Sequence, residues 1–263
     1  ILAHSRLCLV ALILVAPVLA TVAWIGAVPT HSYAQDVFYV LNGAWRVMNG
    51  QAPHVDFYST FGPVIFLVVA LGLKLSRLDI QGIGYGIALT GLLVSAGALR
   101  LASRRLAALP ALLLTLYVTL LCVTPYPLGM DPSRLSHAMS YNRIGYALLC
   151  LVMVEAFLPA RDSKRFAWLD SAITGLACVQ LLFLKASFFL VAAALVALSL
   201  FSNRRKMLAA AATALAAALA FLAFLHFDAA SMWADLRIAA AARSDGITPS
   251  VFFSAAARHW VDL

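Results

Sequence analysis

The run FGPVIFLVVALGLKL, residues 61–75, is 15 residues of almost unbroken apolar sequence. Whether it crosses a membrane or turns back decides where every polar residue of the chain lies. The setting is a bilayer: the chain is 63% hydrophobic and 11% charged, whereas soluble domains carry about 25% charged residues. A crossing helix needs about 20 apolar residues, with a range of roughly 17–25. Residues 61–75 fall short, but so does Ile144–Leu158, also 15 residues. Length does not decide. The basic residues do.

Apolar runs occur at Leu7–Val28, Phe61–Leu75, Ile83–Leu101, Leu106–Val123, Ile144–Leu158, Phe166–Leu184, Ala186–Phe201 and Met207–Phe227. If every run crossed from an inside Arg6, the clusters Arg100/Arg104/Arg105, Arg161/Lys164/Arg165 and Arg204/Arg205/Lys206 would all lie outside. Each would contradict the tendency of positive charge to stay in the cytoplasm. If residues 61–75 instead form a re-entrant or interfacial helix, all three clusters flip and join Arg6. Phe166–Phe201 must also be broken, because 36 residues of helix would run about 54 Å against a hydrocarbon core of about 30 Å. The polar interruption LKAS places a tight outside turn near Lys185. The expectation is an all-α, polytopic membrane helix bundle of about seven spans with a cytoplasmic N-terminus. It forms one transmembrane domain over residues 1–263, whose first outside loop, residues 29–82, holds interfacial and re-entrant helices.

This partition puts Asp36, Asp56, Asp79, Asp131, Asp228, Asp235, Asp245 and Asp262 outside. Asp162, Asp170 and the lone Glu155 fall near the cytoplasmic boundary, Glu155 as an interfacial residue. The formal net charge of +8 sits in short loops and orients helices; nucleic acid is not an expected partner, and the lipid bilayer is. Cys8, Cys122, Cys150 and Cys178 lie in apolar runs without CxxC or Cys/His spacing, so they read as packing residues. Leu7–Val28, at 22 residues, exceeds the roughly 7–15-residue apolar region of a signal peptide and reads as an uncleaved span. The chain starts at Ile1 and stops just after a polar stretch, so a fragment truncated at its C-terminus is expected.

Within the first outside loop, Gln35–Met48 puts Val37, Leu41, Ala44, Trp45 and Met48 on one helical stripe. That pattern suits a helix lying in the interface, with Trp45 near the headgroups. Asp36 falls in its first turn, where the helix dipole favours negative charge. NGQAP then breaks the helix, HVDFYSTFGP runs extended, and Gly62-Pro63 opens the next short helix.

An Asp at the start of the first outside loop, a helix ending GAWRVMNGQAP, then VDF and FGP, together resemble the integral-membrane GT-C glycosyltransferases. Protein O-mannosyltransferases and lipid A aminoarabinose transferases are members. The likeness extends over about residues 7–205: KLSRLD with Arg77 follows the re-entrant segment, TPYPLGMDPSRLSHAMSYNRIGYALL occupies the second outside loop, and LLFLKASFFL resembles a recurring Lys-containing turn. Two positions depart from the pattern. Val37 follows Asp36 where an acidic pair is common, and Asn142 stands where some relatives carry an Asp, a role Asp131 can fill.

The resemblance implies a polyprenyl-phosphate-linked sugar donor used at the outer face, and it nominates Asp36 as the base that activates an acceptor hydroxyl or amide. Such a carboxylate wants a place at the edge of the low-dielectric region. Asp56 either binds substrate, orients a base or a divalent metal ion together with Asp36, or caps the Ser59/Thr60 turn. Lys185 binds the lipid phosphate or snorkels to the interface. Arg77, Arg134 and Arg143 are further phosphate clamps or headgroup contacts, and Tyr141 and His54 can hydrogen-bond sugar or acceptor. Two readings from other classes stand beside this one. A transporter or flippase calls for internal repeats and broken, charged central helices, and a membrane scaffold leaves the ordered first loop without a purpose.

Overall fold

The structure is a computed structural model that describes residues 2–28, 33–126, 135–161, 167–200 and 204–241. Among these residues it contains ten α-helices and no strand: α1 (Leu2–Ile25), α2 (Ala34–Met48), α3 (Val64–Leu75), α4 (Gly82–Ser103), α5 (Ala108–Val123), α6 (Ser140–Phe157), α7 (Ala167–Leu182), α8 (Ala186–Leu200), α9 (Arg204–Phe224) and α10 (Ala229–Ala241). The apolar runs of the sequence set these helices, and local chemistry sets their ends. Asn49-Gly50 stops α2, with Gly50 at φ +85°. Pro63 at φ −65° starts α3, and Arg77 and Leu78, at φ 59° and 74°, turn the chain after it.

The helices pack into a bundle, and contacts among the described residues mark two ends of it. At one end His137 donates to the Gly26 carbonyl at 2.8 Å, joining the exit of α1 to the entry of α6. Arg143 on α6 reaches the last carbonyls of α5. Phe183, after α7, stacks on Phe221 near the exit of α9. At the other end Asp170, in the first turn of α7, pairs with Arg100, Arg104 and Arg105 around the exit of α4. Glu155 near the end of α6 meets Arg105 and Lys206, the latter in the first turn of α9. The acids therefore separate: Asp36, Asp56, Asp79, Asp228 and Asp235 gather at the first end, and Asp170 and Glu155 lie at the second with Arg100, Arg104 and Arg105. Asp131, Asp162, Asp245 and Asp262 lie outside the described residues.

Helix α3 does not run from end to end. Its first amides donate to the α7–α8 turn, Gly62 to Leu184 at 3.2 Å and Val64 to Phe183 at 3.1 Å. Its last turn packs on the entry of α4, where Gly72, Gly82 and Gly86 bring the two backbones together and an added Cβ would overlap a backbone atom. Gly84, between Gly82 and Gly86 in sequence, abuts Val22 and Gly26 at the exit of α1. Both ends of α3 thus lie at the aspartate end, and twelve residues span only about 18 Å. Helix α3 is therefore a short element packed between the α7–α8 turn and the entry of α4.

Three helices, Arg6–Ile25, Gly82–Ser103 and Arg204–Phe224, are long and apolar enough to cross a membrane. Large apolar side chains such as Leu12, Ile13, Leu93, Leu113, Leu190 and Leu215 stand exposed on the flanks of the bundle, a surface that suits lipid rather than water. The Ala-rich α9 closes on α7 through Gly175, where a side chain would collide with the Ala210 backbone. Glu155 faces the interior of the bundle. It is 6% exposed and accepts hydrogen bonds from Ser171 and Thr174, because a carboxylate at that depth needs donors as well as cations. The segment after Asp228, expected as a tail, folds into α10.

The backbone approach at Gly62 carries a testable consequence. A Cβ there would overlap the Phe183 carbonyl, so Gly62→Ala should destabilise the folded protein by about 1–3 kcal/mol. Gly97→Ala, where the nearest neighbour is a movable Leu151 methyl at 3.3 Å, should change it little. Thermal unfolding of the detergent-solubilised variants distinguishes the two.

Candidate functional site

The entry of α6 is where the polar groups of the aspartate end converge. Asp36, half-buried in the first turn of α2, accepts the Met139 amide on Oδ2 at 2.6 Å. The Tyr141 hydroxyl donates to its Oδ1 over a longer 3.4 Å. Met139 sits at φ 56°, ahead of the first turn of α6, and that left-handed residue turns its N–H toward Asp36. The sequence makes the carboxylate available at the start of α2, and the fold fixes it to a helix more than a hundred residues away.

Lys185 approaches the same tyrosine from the α7–α8 turn. Its Nζ donates to Asn142 Oδ1 at 2.8 Å and lies over the rings of Tyr141, 5.4 Å from the centroid, and Phe188, at 5.7 Å. Phe188 in turn covers Gly145, where any side chain would strike the ring. Asp36 and Lys185 therefore stand on two sides of Tyr141, one carboxylate and one ammonium around a phenol. Aromatic faces attract the ammonium electrostatically. Asn142 accepts its hydrogen without adding a negative charge, which an Asp at that position would do.

A layer of aromatic and hydroxyl groups closes the site from the loop side. Phe61 lies against Tyr141 with ring centroids 4.0 Å apart, and Tyr39 meets Phe61 edge-on at 5.7 Å. The Tyr39 hydroxyl donates to Ser59 Oγ at 3.2 Å and accepts the Thr60 amide at the same distance. His137 anchors the segment leading into α6. Its Nε2–H donates to Gly26, and burial, only partly offset by that bond, holds its pKa below the usual histidine value.

Not every residue singled out in the sequence joins this site. Asp56 lies past the far end of α2 and turns its carboxylate onto the Ala52 amide, 2.6 Å away. It closes the 52–56 turn, rather than the Ser59/Thr60 turn. Asp36 and Asp56 do not share a ligand set, and among the described residues no three His, Cys, Asp or Glu side chains gather as a metal site. Arg143 is 3% exposed, its terminal nitrogens bound to the Tyr126 and Leu120 carbonyls at 2.8 and 3.0 Å. Those bonds tie it to the exit of α5. Arg77 stands exposed on the α3–α4 turn, at the opposite end of α3 from Lys185. Arg134 lies outside the described residues.

His54 is placed differently from its expected role. It is buried, and its Nδ1 sits 2.9 Å from Asp235 Oδ2 on α10; the same oxygen accepts the Ser59 amide at 2.9 Å. Asp235 is thus a residue that sequence reasoning assigned to a tail and that the fold uses as a clamp. A signal was present. Asp228 accepts from both the amide and the hydroxyl of Ser231, the Asp-x-x-Ser spacing that opens a helix. No family model, curated protein or solved structure matches this chain.

The His137 anchor yields a pH dependence. At neutral pH the imidazole is uncharged in both the folded and unfolded chain. As pH falls through about 6.5 the unfolded histidine takes up a proton that the buried one resists, so folding loses stability toward acid. Lowering the pH from 7 to 5 should reduce the melting temperature of the wild type more than that of His137→Gln, whose amide keeps the bond to Gly26 without titrating. Equal losses would remove His137 as the cause.

Proposed function

We propose that this chain is an integral-membrane glycosyltransferase of the GT-C type. It moves a sugar from a polyprenyl-phosphate donor to an acceptor at the outer face of a bacterial inner membrane. The observation carrying this reading is the meeting of Asp36 and Lys185 around Tyr141. Transfer of this kind needs a base beside a cation that receives the departing phosphate. The rival readings gain nothing comparable: among the described residues the charges lie at the two ends of the bundle and not in mid-helix, where a transport pathway would need them.

In the reaction, an acceptor hydroxyl or amide attacks the anomeric carbon from the face opposite the phosphate. The acceptor–carbon bond forms as the carbon–oxygen bond to phosphate breaks. The electron pair stays on the departing polyprenyl phosphate, the acceptor proton passes to Asp36, and the anomeric configuration inverts. Met139 holds Asp36 by Oδ2, leaving Oδ1 toward Tyr141 to take the proton. Lys185 faces the phosphate. Asn142 and the rings of Tyr141 and Phe188 keep its ammonium in place.

In this reading α1 and α4 to α9 cross the bilayer, with the end that holds Arg100, Arg104 and Arg105 in the cytoplasm. Helices α2, α3 and α10 lie at the outer face. Helices α5, α7 and α8, at 16, 16 and 15 residues, are short for a crossing, which a locally thinned bilayer accommodates. That thinning also shortens the distance a lipid-borne phosphate must rise to meet Lys185.

Purified protein in lipid vesicles, offered a panel of polyprenyl-phosphate sugars and an envelope extract as acceptor, should consume at least one donor. Asp36→Asn should lower the rate by roughly 10²–10⁴-fold with normal membrane insertion. Asn142→Asp, which sets a carboxylate beside Lys185, should weaken donor binding by roughly tenfold. Wild-type turnover in Asp36→Asn sinks the assignment. Orientation is checked separately in a cysteine-free background: a cysteine at position 79 should react with a membrane-impermeant label from outside, and one at position 103 only from inside.

A further inference from the structure

A cleft of about 220 Å³ opens between the second half of α2 and the turn that follows it, lined by Tyr39, Asn42, Gly43, Arg46, Phe57 and Tyr58. Positions 39, 42, 43 and 46 share one face of α2 by helical spacing. Gly43 is where Phe66 of α3 presses closest, and a Cβ there would meet its ring. The floor is therefore backbone and aromatic carbon, and the polar groups stand around the rim.

Arg46 is the unusual member. Its guanidinium lies over the Phe57 ring, 5.0 Å from the centroid, and it makes no ion pair or side-chain hydrogen bond with any described residue. The nearest acid in sequence on the facing turn, Asp56, is committed to the Ala52 amide. An arginine on the last turn of a helix can serve only the helix dipole, but such a side chain points into water and needs no ring beneath it. Here the ring holds the guanidinium beside the cleft, and a guanidinium reads a carboxylate or phosphate with two parallel bonds.

The rest of the lining indicates what carries that anion. Tyr58 is 46% exposed and Asn42 is exposed, so a phenol ring, its hydroxyl and an amide face the opening. Aromatic faces and bidentate amides suit the mixed apolar and hydroxyl surface of a sugar ring. The volume is smaller than the roughly 300–1,000 Å³ that encloses a drug-sized ligand, enough for a single ring. We propose that this cleft binds one oxyanion-bearing sugar unit, a sugar phosphate or a uronic acid, with Arg46 pairing the anion and Tyr58, Tyr39 and Asn42 meeting the ring.

The cleft lies along the same helix as Asp36. Ten residues separate Arg46 from Asp36, about 15 Å of helix, and Tyr39 touches both regions through its contact with Phe61. Resting on the reaction proposed above, the cleft is the place where an anionic acceptor glycan is held while a more distant sugar unit meets Asp36. The binding itself does not require that reaction.

Titration calorimetry tests it with the intact protein in nanodiscs of phosphatidylcholine, using glucose 1-phosphate, glucuronate, glucose and inorganic phosphate as separate probes. At least one anionic sugar should bind saturably, and roughly tenfold or more tighter than glucose or inorganic phosphate. Arg46→Gln should weaken it by roughly tenfold or more, and Asn42→Leu, a change at an exposed position that fills the cleft, should abolish it with the melting temperature unchanged. Asp36→Asn should bind as the wild type does, so loss of transfer and loss of this site are told apart. The proposal is overturned by absent binding, by equal binding of glucose, by inorganic phosphate binding as tightly as the sugar phosphate, or by an unaffected Arg46→Gln. Discs containing phosphatidylglycerol give a further arm: if that lipid removes sugar binding in the wild type, the occupant is a headgroup and the sugar assignment fails.

Discussion

A backbone amide in apolar surroundings has to find an acceptor, and outside a helix the choice of acceptor fixes where the chain goes. Gly62 and Val64 resolve this with the Leu184 and Phe183 carbonyls. Those two bonds hold the start of α3 against the α7–α8 turn. They also bring Phe61 onto Tyr141 and set the first loop beside Lys185. Gly62 makes them possible by carrying no side chain where the Phe183 carbonyl sits. The convergence of Asp36 with Lys185 is downstream of this contact between one turn and one helix start.

The opposite end of the bundle is held by charge. Arg105 is 4% exposed, and its guanidinium donates to Asp170, Leu101 and Leu158 with Glu155 close by. Four helices, α4, α6, α7 and α9, contribute to that knot. Removing one partner from a buried pair of this kind costs about 3–5 kcal/mol, whereas an apolar replacement of the whole set is often tolerated. Its value lies in register as much as in strength, since each acid accepts only from residues at the matching depth. A bundle fastened by charge at one end can keep a looser, polar arrangement at the other.

The course of the main helices was legible because apolar length and the placement of arginines are both written locally. The expectation that residues 61–75 do not cross came from three basic clusters far from them in sequence. Asp36 and Lys185 stood out because each interrupts greasy surroundings. Other roles were hidden by the nature of their partners. Arg143 and Asp56 bond to backbone carbonyls and amides, which every residue possesses and no motif marks. Glu155 gave no hint of burial, since Ser171 and Thr174, which satisfy it, belong to another helix. In α10, AASMWADLRIAAA is too short and too rich in alanine to announce a helix by apolar periodicity, and the importance of Asp235 exists only in three dimensions.

The clamp between α10 and the first loop also sets an order of events during biosynthesis. His54 and Ser59 are made early, yet the aspartate that fastens them lies 181 and 176 residues later in the chain. At about 5–20 residues per second of translation, the ribosome needs roughly 10–35 s to reach it. The loop therefore emerges unfastened and is completed only when the last described helix arrives on the same side of the membrane. A nascent chain halted before that point holds its first loop without this clamp, so the fastening of the loop waits on residue 235.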